Sequence, residues 1–90
     1  MTVNWSDAAL RDLGAITGYL EQRNPAAALR LAILLLHAAD TLNTLPDRGA
    51  PGRVAGTREL LAHRPYVMVY EVDAAGVQIM RIWHAAQDRG

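Results

Sequence analysis

Cysteine, lysine and phenylalanine are all absent from this 90-residue chain. Without cysteine there is no disulfide framework, no thiolate nucleophile and no cysteine-type zinc site, so stability has to come from packing or from a partner. A reducing compartment, the cytoplasm, is the expected location. Without lysine, all nine basic residues are arginines, planar and permanently charged groups suited to forking phosphates or carboxylates. Long apolar runs are missing too. The longest, Leu31 to Leu36, falls far short of the ~20 residues of a membrane span, and no basic segment leading into an apolar stretch opens the chain. Neither export nor membrane anchoring is expected.

What is present is a core-forming composition. Hydrophobic residues make up 51% of the chain, although only two Trp and three Tyr supply aromatic bulk. A chain of this length has room for one modest core, so residues 1–90 are read as a single domain. Charge is unevenly distributed. Residues 1–47 carry three Arg against five acids and residues 48–90 six Arg against four, giving −2 and +2. The basic half is where an acidic partner or a phosphate is expected to dock.

Thr2 to Trp5 is short and β-prone and ends at Ser6, a good helix N-cap. Over Asp7 to Gln22, Ala9, Leu13, Ile16 and Leu20 recur at spacings of four, three and four, which predicts an amphipathic helix. Asn24 and Pro25 open a second helix, combining a capping side chain with the residue whose fixed φ suits the first turn. That helix is predicted to run to Leu45, before Pro46. Its core face is Leu31, Leu35, Ala38, Leu42 and Leu45. Leu29, Ile33 and Leu36 lie nearly opposite, a second apolar face either covered internally or offered to another chain. Pro46 to Gly56 reads as a loop held by contacts. Three strand candidates follow, Thr57 to His63, Tyr66 to Val72 and Val77 to Trp83, with separations that fit antiparallel hairpins. The order β-α-α-β-β-β argues an α+β fold, a helical hairpin on one face of a mostly antiparallel sheet. Leu13, Ile16, Leu20, Leu35, Leu42, Val69 and Ile79 are expected to be buried together between those layers.

Val3-Asn4-Trp5-Ser6, the Leu13/Ile16/Tyr19-Leu20 helix, Asn24-Pro25, the segment Gly49-Ala50-Pro51-Gly52-Arg53-Val54-Ala55-Gly56-Thr57-Arg58-Glu59-Leu60 and the ending Arg81-Ile82-Trp83-His84-Ala85-Ala86-Gln87 occur in the order seen in one family. Over residues 3 to 87 the chain resembles the RelE/ParE toxin superfamily of bacterial type II toxin-antitoxin pairs. The resemblance implies the α+β fold above, a cognate antitoxin as partner, and a cellular target that is either DNA gyrase or ribosome-bound mRNA. It implies neither a membrane partner nor specific DNA binding by this chain alone.

Arg81 and His84 are the candidate catalytic residues, because RNA cleavage needs a proton carrier and a cation for the crowded phosphate. Strand alternation nevertheless groups Arg81 with Val77, Ile79 and Trp83, and His84 with Met80 and Ile82 on the other face. In RNA-cleaving members the resemblance implies an arginine directly after the aromatic that opens the third strand, and a tyrosine or further basic residues beyond the terminal histidine. Here those positions are Val67 and Ala85-Ala86-Gln87. This departure favours a gyrase inhibitor that acts by binding, with mRNA cleavage or an inert partner-binding relative as the alternatives. Arg53, Arg58 and Arg64, with Arg48, are candidates for a target or antitoxin docking surface, as are Leu29, Ile33 and Leu36. A solvated sheet edge is the plainer reading of the arginines. His37 and His63 lack companions at ligand spacing, so no metal is expected. The glycine-rich loop lacks the ending and the strand-to-helix context of a nucleotide-binding loop, so no cofactor is expected.

Overall fold

The computed structural model describes residues 2–86. They form β1 (Thr2–Trp5), α1 (Asp7–Glu21), α2 (Pro25–Thr41), β2 (Ala50–Pro51), β3 (Arg58–His63), β4 (Tyr66–Asp73) and β5 (Gly76–His84). Both helices start where the capping chemistry directs. Ser6 Oγ accepts from the Ala9 N–H at 3.0 Å, and Asn24 Oδ1 accepts from the Ala27 N–H at 3.1 Å with Pro25 in the first turn. No helix among the described residues is long and apolar enough to cross a membrane.

The second helix ends earlier than its apolar stripe predicts. From Leu42 onward the backbone tightens into bonds three residues apart, Leu42 N to Ala39 O and Asn43 N to Asp40 O, while Thr41 Oγ1 donates to the Ala38 carbonyl at 2.6 Å. Leu45 therefore leaves the core face and is exposed.

The sheet order is β1-β5-β4-β3-β2. β3, β4 and β5 form the expected antiparallel meander, and the two-residue β2 adds an antiparallel edge beside Arg58 and Glu59. β1 runs parallel to β5, from Thr2 opposite Gly76 to Trp5 opposite Ile79, which makes the sheet mixed. Gly76 is needed where those strands meet. Its φ is +134°, and a Cβ there would strike the Thr2 carbonyl oxygen.

The helical hairpin covers one face of the sheet, with α1 over β5 and α2 over β3. The main core cluster comprises Ala9, Ala38, Ala39, Leu42, Leu60, Met68, Tyr70, Val77, Ile79 and Ile82, and Leu35 is also fully buried. Leu13 and Ile16 pack against this core half-buried, and Leu20 is also half-buried. Val69 corrects the expected set. Tyr66, Met68 and Tyr70 take the helix-facing positions of β4, so Val67 and Val69 stand on the uncovered face. Both phases of this strand are apolar, so hydrophobicity alone does not choose between them.

Candidate functional site

One irregularity in β5 arranges the residues that matter for function. Val69 pairs with Arg81 and the next residue, Tyr70, pairs with Ile79, leaving Met80 as a bulge with no counterpart in β4. The bulge shifts the alternation by one. Val77 and Ile79 face the helices before it, and Ile82 and His84 face them after it. His84 thus keeps company with Ile82 as expected, but it joins the core side and not the open face.

β1 stops at Trp5, so the edge of β5 beyond Ile79 is unpaired by strand, and side chains from α1 and its N-cap complete it. Ser6 Oγ donates to the Met80 carbonyl at 2.9 Å, and the Ile82 N–H donates to Asp12 Oδ2 at 3.0 Å. The same carboxylate receives Arg81 in a two-pronged fork, Nε to Oδ2 at 2.7 Å and Nη2 to Oδ1 at 3.1 Å. Burial works to raise the Asp12 pKa. The Arg81 guanidinium and the Ile82 N–H, with Arg11 further off, outweigh it and hold the carboxyl below its ordinary range. Asp12 in turn raises the Arg81 pKa. The Arg81 guanidinium also lies over the Trp83 ring, 4.8 Å from its centroid.

His84 looks the other way. Its ring meets Tyr66 edge-on at 5.5 Å, its Nδ1 accepts from the Ala86 N–H at 3.1 Å, and it lines a cleft of about 310 Å³ with Asp12, Ala15, Ile16, Tyr19, Tyr66 and Ile82. Arg81 and His84 therefore lie on opposite faces of β5 and do not converge on one point. Gln87, one of the positions where the resemblance calls for further catalytic groups, lies outside the described residues.

The open face of the sheet carries two rows across the strands. Leu61 pairs with Val67 and Val67 with Trp83, forming an apolar row. Glu59 pairs with Val69 and Val69 with Arg81, forming a row with a charge at each end. Val67, in the position where RNA-cleaving relatives are expected to place an arginine, sits at the centre of the apolar row.

The other candidate arginines do not make one surface. Arg58 donates to the Gly49 carbonyl at 2.8 Å and pairs with Asp47 at 3.5 Å, tying down the loop before β2. Arg53 is exposed in the loop between β2 and β3, where its backbone N–H donates to Glu59 Oε2. Arg64 stands at the opposite end of β3, in the turn to β4. Leu29, Ile33 and Leu36 form an exposed apolar stripe on α2, 64%, 56% and 43% accessible, so that face is not covered internally. Among the described residues no cluster of His, Cys, Asp and Glu could hold a metal.

Sequence reasoning missed two residues. Asp12 flanks the apolar stripe of α1 and reads there as solvated charge; only the bulge and the unpaired strand edge give it partners. Tyr70 is fully buried, and its hydroxyl donates to the Pro46 carbonyl at 2.7 Å and accepts from the Gly49 N–H at 2.9 Å. A Cβ at Gly49 would lie 2.8 Å from that hydroxyl, so the loop, the glycine and the tyrosine form one unit.

Residues 3–89 match the family described as ParE toxin of type II toxin-antitoxin system, parDE. Toxin RelE2 of Caulobacter vibrioides is 46% identical over 94% of this chain and 96% of its own length. Toxin RelE1 of the same organism is 38% identical over 98% and 97%. Among solved structures, a chain of the chromosomal ParDE toxin-antitoxin system from P. aeruginosa superposes with a TM-score of 0.83 at 28% identity, covering 93% of this chain and 95% of that one. A chain of the RelBE2 toxin-antitoxin complex from Mycobacterium tuberculosis gives 0.55, also at 28% identity, covering 92% and 95%.

Proposed function

The chain belongs to the ParE toxin family of type II toxin-antitoxin systems, and we propose that it arrests growth by binding DNA gyrase in the cytoplasm while a cognate antitoxin holds it inactive. The observation that carries this reading is the apolar row Leu61–Val67–Trp83 on the open face of the sheet. A surface that handles a phosphodiester needs cations and a proton carrier converging on one point. In that place this face offers an aliphatic and aromatic strip of the kind that docks protein. Arg81, whose guanidinium lies over the Trp83 ring, is already forked by Asp12, and His84 faces the other side of the strand. Such a toxin works by occupancy, without turnover.

The two solved structures described above come from toxin-antitoxin systems, and this chain has a ready surface for an antitoxin. The exposed Leu29, Ile33 and Leu36 stripe suits a tail that presents apolar side chains at helical spacing, with acids directed at the basic half.

A second reading, ribosome-dependent mRNA cleavage, draws on the RelE names of two relatives and on His84 lining a cleft beside Tyr66. Expression without antitoxin of the wild type and of His84→Ala separates the two. A proton carrier is worth about a hundred- to ten-thousand-fold in rate, so a nuclease would lose its toxicity with His84. The gyrase reading expects His84→Ala to retain substantial growth arrest, with plasmid supercoiling altered and primer extension showing intact mRNA. Loss of arrest together with loss of His84-dependent mRNA cuts would establish the second reading instead.

A further inference from the structure

Asp12 belongs to the helix layer, yet two side chains of the open sheet face are tied to it. Its Oδ2 accepts from Arg81 Nε at 2.7 Å and from the Ile82 N–H at 3.0 Å, and its Oδ1 accepts from Arg81 Nη2 at 3.1 Å. Closing the strand edge at Ile82 needs only the first oxygen. The second is spent on Arg81 alone. The fork occupies one edge of the guanidinium and leaves it free to lie over the Trp83 ring, 4.8 Å from the centroid.

The grip is of a different kind from that on Arg58, which meets Asp47, an 81% exposed side chain, at 3.5 Å. The Asp12 side chain is 18% exposed and the Arg81 side chain 44%, so a sheltered carboxylate holds an arginine that still reaches solvent. A free arginine has to give up rotamers and water when an interface closes over it. An arginine already forked and stacked has given up most of both beforehand. The pairing that spoils Arg81 for a phosphate suits it for burial against protein.

We propose that Asp12 is the positioning residue of the docking face. Through the fork it fixes Arg81, and through Arg81 the Trp83 indole, so the chain meets its target with a preformed anchor at the end of the Leu61–Val67–Trp83 row. Tryptophan and arginine are the side chains that most often dominate protein interfaces. A guanidinium has five N–H groups, and Asp12 takes two of them, which leaves three for a carbonyl or carboxylate of the partner beside the apolar contact. The inference rests on the reading of this face as the one that occupies gyrase.

The test compares the wild type with Asp12→Asn, Arg81→Lys, their double variant and Tyr70→Phe, by growth arrest without antitoxin and by inhibition of purified gyrase. Asparagine keeps an acceptor for the Ile82 N–H but not the charged fork; lysine keeps the charge but cannot fork. Each single change should raise the toxin concentration for half-inhibition about two- to ten-fold, the cost of immobilising one long side chain on binding. The double variant should lose no more than the weaker single one, because Asp12 acts through Arg81. Tyr70→Phe removes buried hydrogen bonds away from this face and should keep full potency. In NMR spectra of the free wild type the Arg81 Nε–H should exchange slowly with water, and Asp12→Asn should abolish that protection. Full potency of Asp12→Asn, additive losses in the double variant, or an equal loss in Tyr70→Phe would each overturn the proposal and leave gyrase inhibition by the wild type standing. Wild-type arrest with supercoiling untouched sinks the gyrase reading instead, and the same comparison made on arrest still decides the role of Asp12. A wild type with neither effect overturns both.

Discussion

At the scale of single residues, Asp12 does the most unexpected work, closing the strand edge at Ile82 and holding Arg81 with one carboxylate. Arg81 stays charged throughout the accessible range, so pH acts on the pair through Asp12. Because the folded-state pKa of Asp12 is depressed, its contribution to stability is complete above the unfolded carboxyl's value and is lost as pH falls through the lower folded value. Asp12→Asn should cost about 1 kcal/mol near neutral pH, a modest figure because Arg81 is partly solvated. Urea midpoints of the two proteins should converge in acid; a gap that persists unchanged into strongly acid solution would contradict the assignment. Tyr70→Phe isolates a second interaction. It leaves the Pro46 carbonyl and the buried Gly49 N–H without their partner and should cost about 1 to 3 kcal/mol, again read from denaturation. Neither role was legible in the sequence, because each depends on chain segments more than twenty residues apart meeting at an atom. These partners also decide how a charge reversal at Arg81 or Arg58 should be read. Both side chains hold structure together, so a loss of toxicity in such variants reads folding as well as docking.

At the scale of elements, the sequence was most legible where a periodic stripe met a strong cap. Ser6 and Asn24-Pro25 start both helices where read, and Leu35 and Leu42 lie in the core as the α2 stripe requires. Leu35→Ala should therefore cost about 2 to 5 kcal/mol through lost transfer energy and a residual cavity. Leu36→Asp, on the exposed stripe, should leave the unfolding midpoint within about 0.5 kcal/mol of wild type while weakening the antitoxin complex. Unchanged affinity in a pull-down or titration with the antitoxin would remove that stripe from the interface. Strand phase was less legible. Val67 and Val69 are as apolar as Met68 and Tyr70, so β4 gives no amphipathic signal, and the Met80 bulge reverses the alternation of β5 without any glycine or proline to mark it. The parallel pairing of β1 and the two-residue β2 are too short to carry a pattern of their own.

At the scale of the whole molecule, a chain with no net charge separates its apolar and charged surfaces by face. The helices present an apolar stripe. The sheet presents an apolar row with Trp83 beneath Arg81, and His84 is kept on the far side of β5. Family membership was legible from the order of segments along the chain, while the target was not, because it depends on which side chains share a face once the bulge is in place. Occupancy of gyrase is the proposed mode of action. The most direct test is a supercoiling assay with purified gyrase, relaxed plasmid and the purified toxin, alone and with its antitoxin. Inhibition that rises with toxin concentration, persists in His84→Ala and is relieved by antitoxin is the predicted result. Supercoiling that proceeds unchanged at every toxin concentration, while the same preparation cuts ribosome-bound mRNA, would contradict it.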